Sequence, residues 1–202
     1  MIAKNKNIFN SDRDNEQEKI ELCQSGNSEA FSFLVEKYKN LIYQLALRMT
    51  GNFHDSEDIA QEAFLKAYRS LHQYNPHYSF SSWLYKIALN IIRDRMRKKD
   101  FAIPFSVHQP DHAHGDIGNP LFSGDDSLTV NPEEWQVRQE NKQDLQSAIN
   151  SLPLSHREII ILRHMQNLSY HEIAQVLNIP LNSVKVRLHR ARAQLKDFLE
   201  NK

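Results

Sequence analysis

The stretch SYHEIAQVLNIPLNSVKVRLHRARAQL, from Ser169 to Leu195, decides how the rest of this sequence is interpreted. Ser169 is a good helix N-cap, and Glu172, three residues later, is its capping-box partner, so a helix begins directly after the serine. Asn178 tolerates the left-handed conformation that ends a helix, and Pro180 cannot continue one. The stretch therefore predicts two helices joined by a tight turn, the layout of a helix-turn-helix.

The second of these helices is amphipathic, and its polar side is basic. Its apolar residues recur at three- and four-residue steps, so they share one inward stripe: Val184, Leu188, Ala191 and Leu195. At about 100° per residue, the other side chains turn towards solvent, where amides, hydroxyls and cations suit base edges and phosphates in a DNA major groove. The predicted contacts are Asn182, Ser183, Lys185, Val186, Arg187 and Arg190. The alternative is a solvated face on an ordinary helical hairpin.

Composition is typical of a globular chain. Of its 202 residues, 40% are hydrophobic and 25% charged, and no apolar run approaches the roughly 18 residues of a membrane span. The acidic and polar stretch from Asn10 to Glu21 is unlike a signal peptide, so we expect a cytoplasmic protein. The one cysteine, Cys23, excludes an intrachain disulfide and a cysteine-rich zinc site, and we expect it to serve packing.

The net charge is zero, but the two signs are segregated along the chain. Lys and Arg accumulate over residues 93–99 and 185–196, whereas residues 100–137 contain Asp and Glu but neither Lys nor Arg. The overall balance therefore conceals two basic patches suited to nucleic acid and an acidic connector between them.

Hydrophobic periodicity predicts an all-α fold of two small helical domains joined by a flexible linker. Periodicity disappears where Pro, Gly, Asp and Ser accumulate, and this composition is typical of a linker. The expected segments are a disordered N-terminus (1–16), a first domain (17–99), an acidic linker (100–131) and a second domain (132–202).

Capping signals predict where several helices begin and end. In the first domain, Ser28 is expected to cap a long helix that ends at Gly51, and Asp55 to open the next helix. In the second domain, a helix is expected from Pro132 onward, and Ser155 is expected to cap the helix before the helix-turn-helix.

The helix that begins near Asp55, DSEDIAQEAFLKAYRSL, carries a strongly acidic side. The apolar residues expected to face the core are Ile59, Phe64, Leu65 and Tyr68. The opposite side carries Glu57, Asp58, Gln61 and Glu62. Paired carboxylates can serve as metal ligands or as general acid and base, but no second cluster with ligand spacing accompanies them. A solvated face or a docking surface for a protein partner is the favoured interpretation.

A loop rich in rings precedes a helix with basic residues between Tyr74 and Lys99. Cations can hold phosphates, flat rings can stack on unpaired bases, and an amide can read a base edge, so this region suits melted DNA. Phe80 and Trp83 are expected in the core instead. The predicted DNA contacts are Tyr74, His77, Tyr78, Lys86, Asn90, Arg93 and Arg97. The alternative for the helix is a solvated basic end.

Three histidines of the linker, His108, His112 and His114, have loosely metal-like spacing. No fixed scaffold or cysteine accompanies them, so we expect neither a metal nor another cofactor.

Three motifs together resemble the extracytoplasmic-function sigma factors of bacterial RNA polymerase, most of all their sigma-W type. They are DSEDIAQEAFLKAY from Asp55, FSSWLYKIALN from Phe80, and LPLSHREIIILRHMQNLSYHEIAQVLNIPLNSVKVRLHRAR from Leu152. The resemblance covers roughly residues 20–99 and 132–199. It implies that the first domain is sigma region 2 and the second is sigma region 4.

This resemblance implies a protein that is not an enzyme and has no small-molecule substrate. The acidic helix would dock on core RNA polymerase, the aromatic loop and its following helix would capture unpaired −10 bases, and the helix-turn-helix would bind the −35 duplex. An anti-sigma protein, often membrane-anchored in this family, is a further expected partner, and the regulon is expected to respond to stress.

Two other classes of protein remain open at this point. A free-standing transcriptional regulator would use the same helix-turn-helix without joining polymerase. A metal-dependent enzyme would use the linker histidines. Neither accounts for all three motifs.

Overall fold

The computed structural model describes residues 15–102, the first half, and residues 144–200, the second half. Regular structure in these two ranges is helical, as predicted. Helices α1 and α5 cover 15–24 and 144–151. The others are α2 (Glu29–Thr50), α3 (Phe53–Ser70), α4 (Phe80–Ala102), α6 (Leu154–Ile160), α7 (Tyr170–Leu177) and α8 (Leu181–Glu200). A 3₁₀ turn (Leu71–Gln73) follows α3, and a π-helical turn (Ile161–Met165) extends α6.

Helices α2, α3 and α4 form the body of the first half, each burying one apolar stripe against the others. Leu34 and Ile42 of α2, Ile59 of α3 and Leu84 of α4 are completely buried, and so is Phe80, as predicted. Burial of each such side chain contributes about 1.5–3 kcal/mol. This packing fixes the acidic side of α3 and the polar side of α4 on the outside.

Two predicted caps in the first half are wrong. The Asn27 side chain accepts the Glu29 backbone N–H at 3.1 Å. Ser28 makes no side-chain cap and itself has helical dihedral angles. Helix α3 begins before Asp55, because the Asn52 side chain accepts the Asp55 backbone N–H at 2.9 Å. Gly51 ends α2 in the left-handed conformation, with φ 68°, as predicted.

Helix α1 begins within the segment that was expected to be disordered. Glu16 lies in this helix, and its carboxylate accepts hydrogen bonds from Lys37 Nζ at 2.6 Å and Tyr38 Oη at 2.5 Å. Cys23 of the same helix is buried, which agrees with a packing role. The other residues of the predicted disordered N-terminus, most of the predicted linker and the predicted helix start at Pro132 lie outside the described residues.

Local signals in the second half are largely confirmed. The Ser169 hydroxyl accepts the Glu172 backbone N–H at 3.2 Å, and the Glu172 carboxylate accepts the Ser169 backbone N–H at 2.8 Å. Asn178, with φ 53°, ends α7 in the left-handed conformation. Helix α6 departs from prediction, because it begins directly after Pro153 and Ser155 makes no cap.

The two halves pack against each other, and their buried apolar side chains form one continuous cluster. Helix α7 lies on α4, and the π-helical turn lies against α2. Arg157 donates from Nη1 to the Met49 carbonyl near the end of α2 at 2.9 Å, and the Tyr85 hydroxyl donates to Gln166 Oε1 at 2.7 Å. Polar contacts therefore reinforce the apolar interface between the halves.

Candidate nucleic-acid interface

Helix α8 presents the polar face that the sequence predicts. Its inward stripe is buried at Val184, Leu188 and Ala191 and partly buried at Leu195. The exposed residues on its outer side, called here the α8 face, are Asn182, Lys185, Val186 and Arg190. Ser183 and Arg187 lie half-buried at its edges. Hydrogen-bonding groups, two cations and an exposed valine together can contact base edges, phosphates and a thymine methyl.

The aromatic loop divides into a buried scaffold and an exposed tip. Tyr74 is buried: its ring centroid lies 5.6 Å from Phe80 and 5.4 Å from Trp83, and its hydroxyl donates to the Tyr78 carbonyl at 2.7 Å. Burial raises the pKa of Tyr74 to about 12. In this conformation the Tyr74 ring supports the loop from below, and its contact with DNA stays a prediction. His77 and Tyr78 are exposed at the tip.

The polar side of α4 is only partly open to solvent. Lys86, Asn90 and Arg97 are exposed. The Arg93 guanidinium instead faces the second half, where Nε and Nη2 lie 2.5 and 2.9 Å from the two carboxylate oxygens of Glu158. This hydrogen-bonded pairing raises the pKa of Arg93 above its ordinary value. In this conformation Arg93 is paired with a residue of the other half, and its contact with DNA stays a prediction.

A groove of about 690 Å³ separates the tip of the aromatic loop from the helix-turn-helix. Its walls combine rings, amides and one lysine, and so offer both flat and hydrogen-bonding surfaces. Among the lining residues are Tyr78, Trp83 and Lys86 from the first half and His171, Asn178 and Pro180 from the second.

The acidic side of α3 lies on the outside of the first half. Its residues, called here the acidic face, are the exposed Glu57, Asp58 and Gln61 and the half-buried Glu62. Hydrogen bonds from Lys66 and Arg95 to Glu62 hold the pKa of that carboxyl below its usual value, against the opposing effect of burial. The Glu62 carboxylate therefore keeps its negative charge at neutral pH.

Two large apolar residues beside the acidic face depart from prediction. Leu65 is 57% exposed and Tyr68 45% exposed, although both were expected in the core. The Tyr68 ring meets the Phe31 ring in an edge-type contact at a centroid distance of 5.1 Å. Acidic and apolar side chains thus adjoin on one helix surface, a combination suited to a protein partner.

The part of the chain that the structure describes contains no group of three or more His, Cys, Asp or Glu residues placed to hold a metal ion. The three histidines of the linker lie outside it. No helix within residues 15–102 or 144–200 is both long and apolar enough to cross a membrane.

Comparison with protein families finds two matches in chain order. Residues 34–102 match sigma-70 region 2, and residues 142–195 match sigma-70 region 4. The chain is 38% identical over 187 residues to the ECF RNA polymerase sigma factor SigW of Bacillus subtilis (strain 168), covering 92% of this chain and 97% of that protein.

Solved structures with a similar fold cover both halves. One is CnrH in complex with the cytosolic domain of CnrY, with a TM-score of 0.67, 25% identity, and coverage of 93% of this chain and 99% of that one. Another is the sigma factor RpoE in complex with the anti-sigma factor NepR from Bartonella quintana, with a TM-score of 0.60, 22% identity, and coverage of 84% and 96%.

Proposed function

We propose a division of labour among the surfaces of this chain, which belongs to the extracytoplasmic-function sigma factors of bacterial RNA polymerase. Such a protein joins core polymerase, recognises promoter DNA and starts transcription. The observation that carries the assignment is 38% identity across 92% of the chain, with both sigma regions matched in order. The matches at 34–102 and 142–195 also support domains at 17–99 and 132–202.

In this proposal the acidic face binds core polymerase. Its exposed carboxylates and the adjoining Leu65 and Tyr68 offer charge and apolar area on one helix surface. The α8 face binds the −35 duplex in the major groove, where each specific base contact contributes about 1–3 kcal/mol of discrimination. Ser183 and Arg187, at the edges of that face, contact backbone phosphates.

The exposed tip of the aromatic loop and the polar side of α4 bind unpaired −10 bases. His77 and Tyr78 supply rings that stack, Lys86 and Arg97 supply cations for phosphates, and Asn90 supplies an amide for a base edge. Arg93 joins this set once it is released from Glu158. Tyr74 holds the loop in place beneath them.

The chain acts by binding and carries out no bond-making step of its own; phosphodiester synthesis belongs to the polymerase. It works in the cytoplasm, where core polymerase and promoter DNA are found. An anti-sigma protein is a further partner, supported by the solved sigma and anti-sigma pair that shares this fold.

The test combines the purified chain with bacterial core RNA polymerase. We expect co-elution on size exclusion and, with genomic DNA and nucleotides, transcripts that begin at a defined set of promoters when mapped by sequencing. Separate elution with duplex binding intact would instead support a free-standing regulator.

A further inference from the structure

Helix α1 makes a polar contact with the rest of the first half at each of its ends. Near its start, the Glu16 carboxylate accepts hydrogen bonds from Tyr38 Oη at 2.5 Å and Lys37 Nζ at 2.6 Å, both of α2. At its end, Gln24 Nε2 donates to the Leu71 carbonyl, in the 3₁₀ turn after α3, at 2.9 Å. The helix therefore joins two separate elements, α2 and the turn that leads into the aromatic loop.

The contact at the end of α1 reaches the base of the aromatic loop directly. The Leu71 carbonyl accepts the Gln24 side chain and also the backbone N–H of Tyr74, at 3.1 Å. Tyr74 follows the 3₁₀ turn, so its backbone is the point at which the loop leaves the helices. Because the two donors share one acceptor, the position of α1 is tied to the position of the loop's first residue.

The contact at the start of α1 reaches the same loop through a row of rings. The Tyr38 ring centroid lies 5.4 Å from that of Phe80, and the Phe80 centroid lies 5.6 Å from that of Tyr74. The Tyr74 hydroxyl then donates to the Tyr78 carbonyl, at the tip of the loop, at 2.7 Å. All three rings of the row are buried, and close-packed rings transmit a displacement from one to the next.

The first ring of this row carries a buried donor whose acceptor comes from α1. Tyr38 is 9% exposed, and burial together with the Glu16 carboxylate raises the pKa of Tyr38, so its hydroxyl stays protonated at neutral pH and donates. A buried hydroxyl that loses its acceptor is destabilised unless it moves towards another partner. Glu16 thus fixes the ring against which Phe80 packs.

The tip of the loop has local bonds that define its shape. The Asn75 carbonyl accepts the Tyr78 backbone N–H at 3.1 Å, and the Asn75 side chain accepts the His77 backbone N–H at 3.0 Å. These bonds join residues within the turn, so they move with it. The direction in which the turn points therefore depends on the contacts at its base, to which α1 contributes through Leu71 and Tyr74.

We propose that α1 is a positioning element for the aromatic loop, which acts through Glu16 and Gln24 to hold His77 and Tyr78 in the orientation that receives unpaired −10 bases. Glu16 and Gln24 are positioning residues, since neither belongs to the exposed tip. A binding surface keeps its geometry only when the residues beneath it are themselves held in place. The identity of the ligand rests on the proposed function, whereas the support of the loop does not.

Hydrogen exchange of the full chain, followed by mass spectrometry over residues 71–79, measures the support of the loop. We expect exchange there to be about threefold to tenfold faster in Glu16→Ala, Tyr38→Phe and Gln24→Ala than in the parent, because each variant removes one hydrogen bond that holds the loop. Tyr38→Phe is the most conservative of the three, since it keeps the ring and removes only the hydroxyl.

Two controls separate the support of the loop from general stability. Gln17→Ala loses a hydrogen bond to Glu21 within the same helix and should match the parent over 71–79. Exchange over residues 181–200, in α8, should equal that of the parent in every variant. Glu16→Ala combined with Tyr38→Phe should be no faster than either change alone, because both open the same contact.

The functional arm titrates the same variants with a single-stranded oligonucleotide of the −10 element mapped from the transcripts. We expect the affinity to fall about threefold to tenfold in Glu16→Ala, Tyr38→Phe and Gln24→Ala. Binding to the −35 duplex, which uses the α8 face, should stay at the parent level. A general loss of folded protein would lower both affinities together, so the two titrations distinguish positioning from stability.

Exchange at the parent level over 71–79 in the folded variants would overturn the proposal. Faster exchange without a loss of oligonucleotide affinity would overturn the link to −10 bases. Where circular dichroism shows that Glu16→Ala does not fold, Tyr38→Phe tests the same contact in its place. Failure of the proposed function is recognised separately, as an absence of promoter-dependent transcripts with core polymerase, because the exchange measurement uses neither polymerase nor DNA.

Discussion

Arg95 of α4 donates a hydrogen bond of 3.0 Å from Nη2 to the Glu62 carboxylate of α3. The same guanidinium lies 3.7 Å from the Asp58 carboxylate. A cation from the helix assigned to DNA therefore borders the surface assigned to polymerase. Partly exposed pairs of this kind contribute about 0–1 kcal/mol, so the carboxylates stay available to a stronger partner.

Asp58→Lys is expected to weaken binding to core polymerase about tenfold or more, because a reversed charge at a complementary interface is repelled. The side chain is 49% exposed, so folding should be unaffected. Biolayer interferometry with immobilised core polymerase measures the affinity. The matched control is Glu36→Lys, an exposed acidic residue of α2 outside the acidic face. Equal losses in the two variants would contradict the assignment.

Arg190→Ala is expected to weaken binding to the −35 duplex by about 1–3 kcal/mol. The residue is exposed on α8, so the loss should come without a change in the free energy of unfolding. Fluorescence anisotropy with a labelled promoter duplex measures it. Lys196→Ala, also an exposed cation of α8 but two turns further along, is the control; a loss as large for Lys196 would indicate a nonspecific charge effect.

Tyr78→Ala and Tyr74→Ala are expected to differ in kind. Tyr78 is 46% exposed, so its loss should reduce binding to a single-stranded −10 oligonucleotide, where a base stacked on a ring contributes about 1–3 kcal/mol. Tyr74 is buried, so its loss should lower the free energy of unfolding by about 3 kcal/mol. Urea denaturation and oligonucleotide titration separate the effects. The reverse pattern would exchange the two roles.

Ser169→Ala is expected to lower the free energy of unfolding by about 1 kcal/mol, because it removes the capping box of α7. Ser155→Ala is a matched control, since that serine lies at the start of α6 and makes no cap. Urea denaturation followed by circular dichroism measures both. Similar losses would contradict the capping assignments.

His164 is expected to make stability depend on pH. Burial, with Arg192 and Arg163 nearby, lowers the pKa of His164 below its ordinary 6.5, and Arg192 Nε donates to its Nε2 at 3.2 Å. The unfolded chain therefore binds this proton more readily, so the stabilisation is present above pH 6.5 and is lost as the pH falls through the folded pKa. His164→Gln should flatten the fall in stability between pH 7.5 and 5.5. An unchanged slope in His164→Gln would refute the prediction.

The elements that sequence predicted best are those whose cause lies within one turn. The Ser169 capping box and the left-handed Asn178 depend on neighbours three or four residues away, and both are confirmed. The inward stripe of α8 is confirmed for the same reason. The misplaced caps at Ser28 and Ser155 show that a capping residue one or two positions earlier, or a preceding proline, takes precedence.

The features that sequence did not predict depend on contacts between distant parts of the chain. Periodicity groups Leu65 and Tyr68 with the apolar residues of α3. It does not show whether another helix covers them, and in the structure both stay exposed. Arg93 appeared DNA-facing because Glu158, its partner, lies in the other domain. The sequence offered one signal: Glu158 directly precedes two apolar residues of α6, Ile159 and Ile160, which are buried as Glu158 is.

The continuous apolar cluster that joins the two halves makes their separation unfavourable in water. Separation of the halves wets side chains that are dry in the closed arrangement, and each square ångström of newly hydrated apolar surface costs about 25 cal/mol. Solvent therefore favours the arrangement in which the two halves stay packed together. A partner that separates the halves must therefore bury the apolar surface that separation exposes.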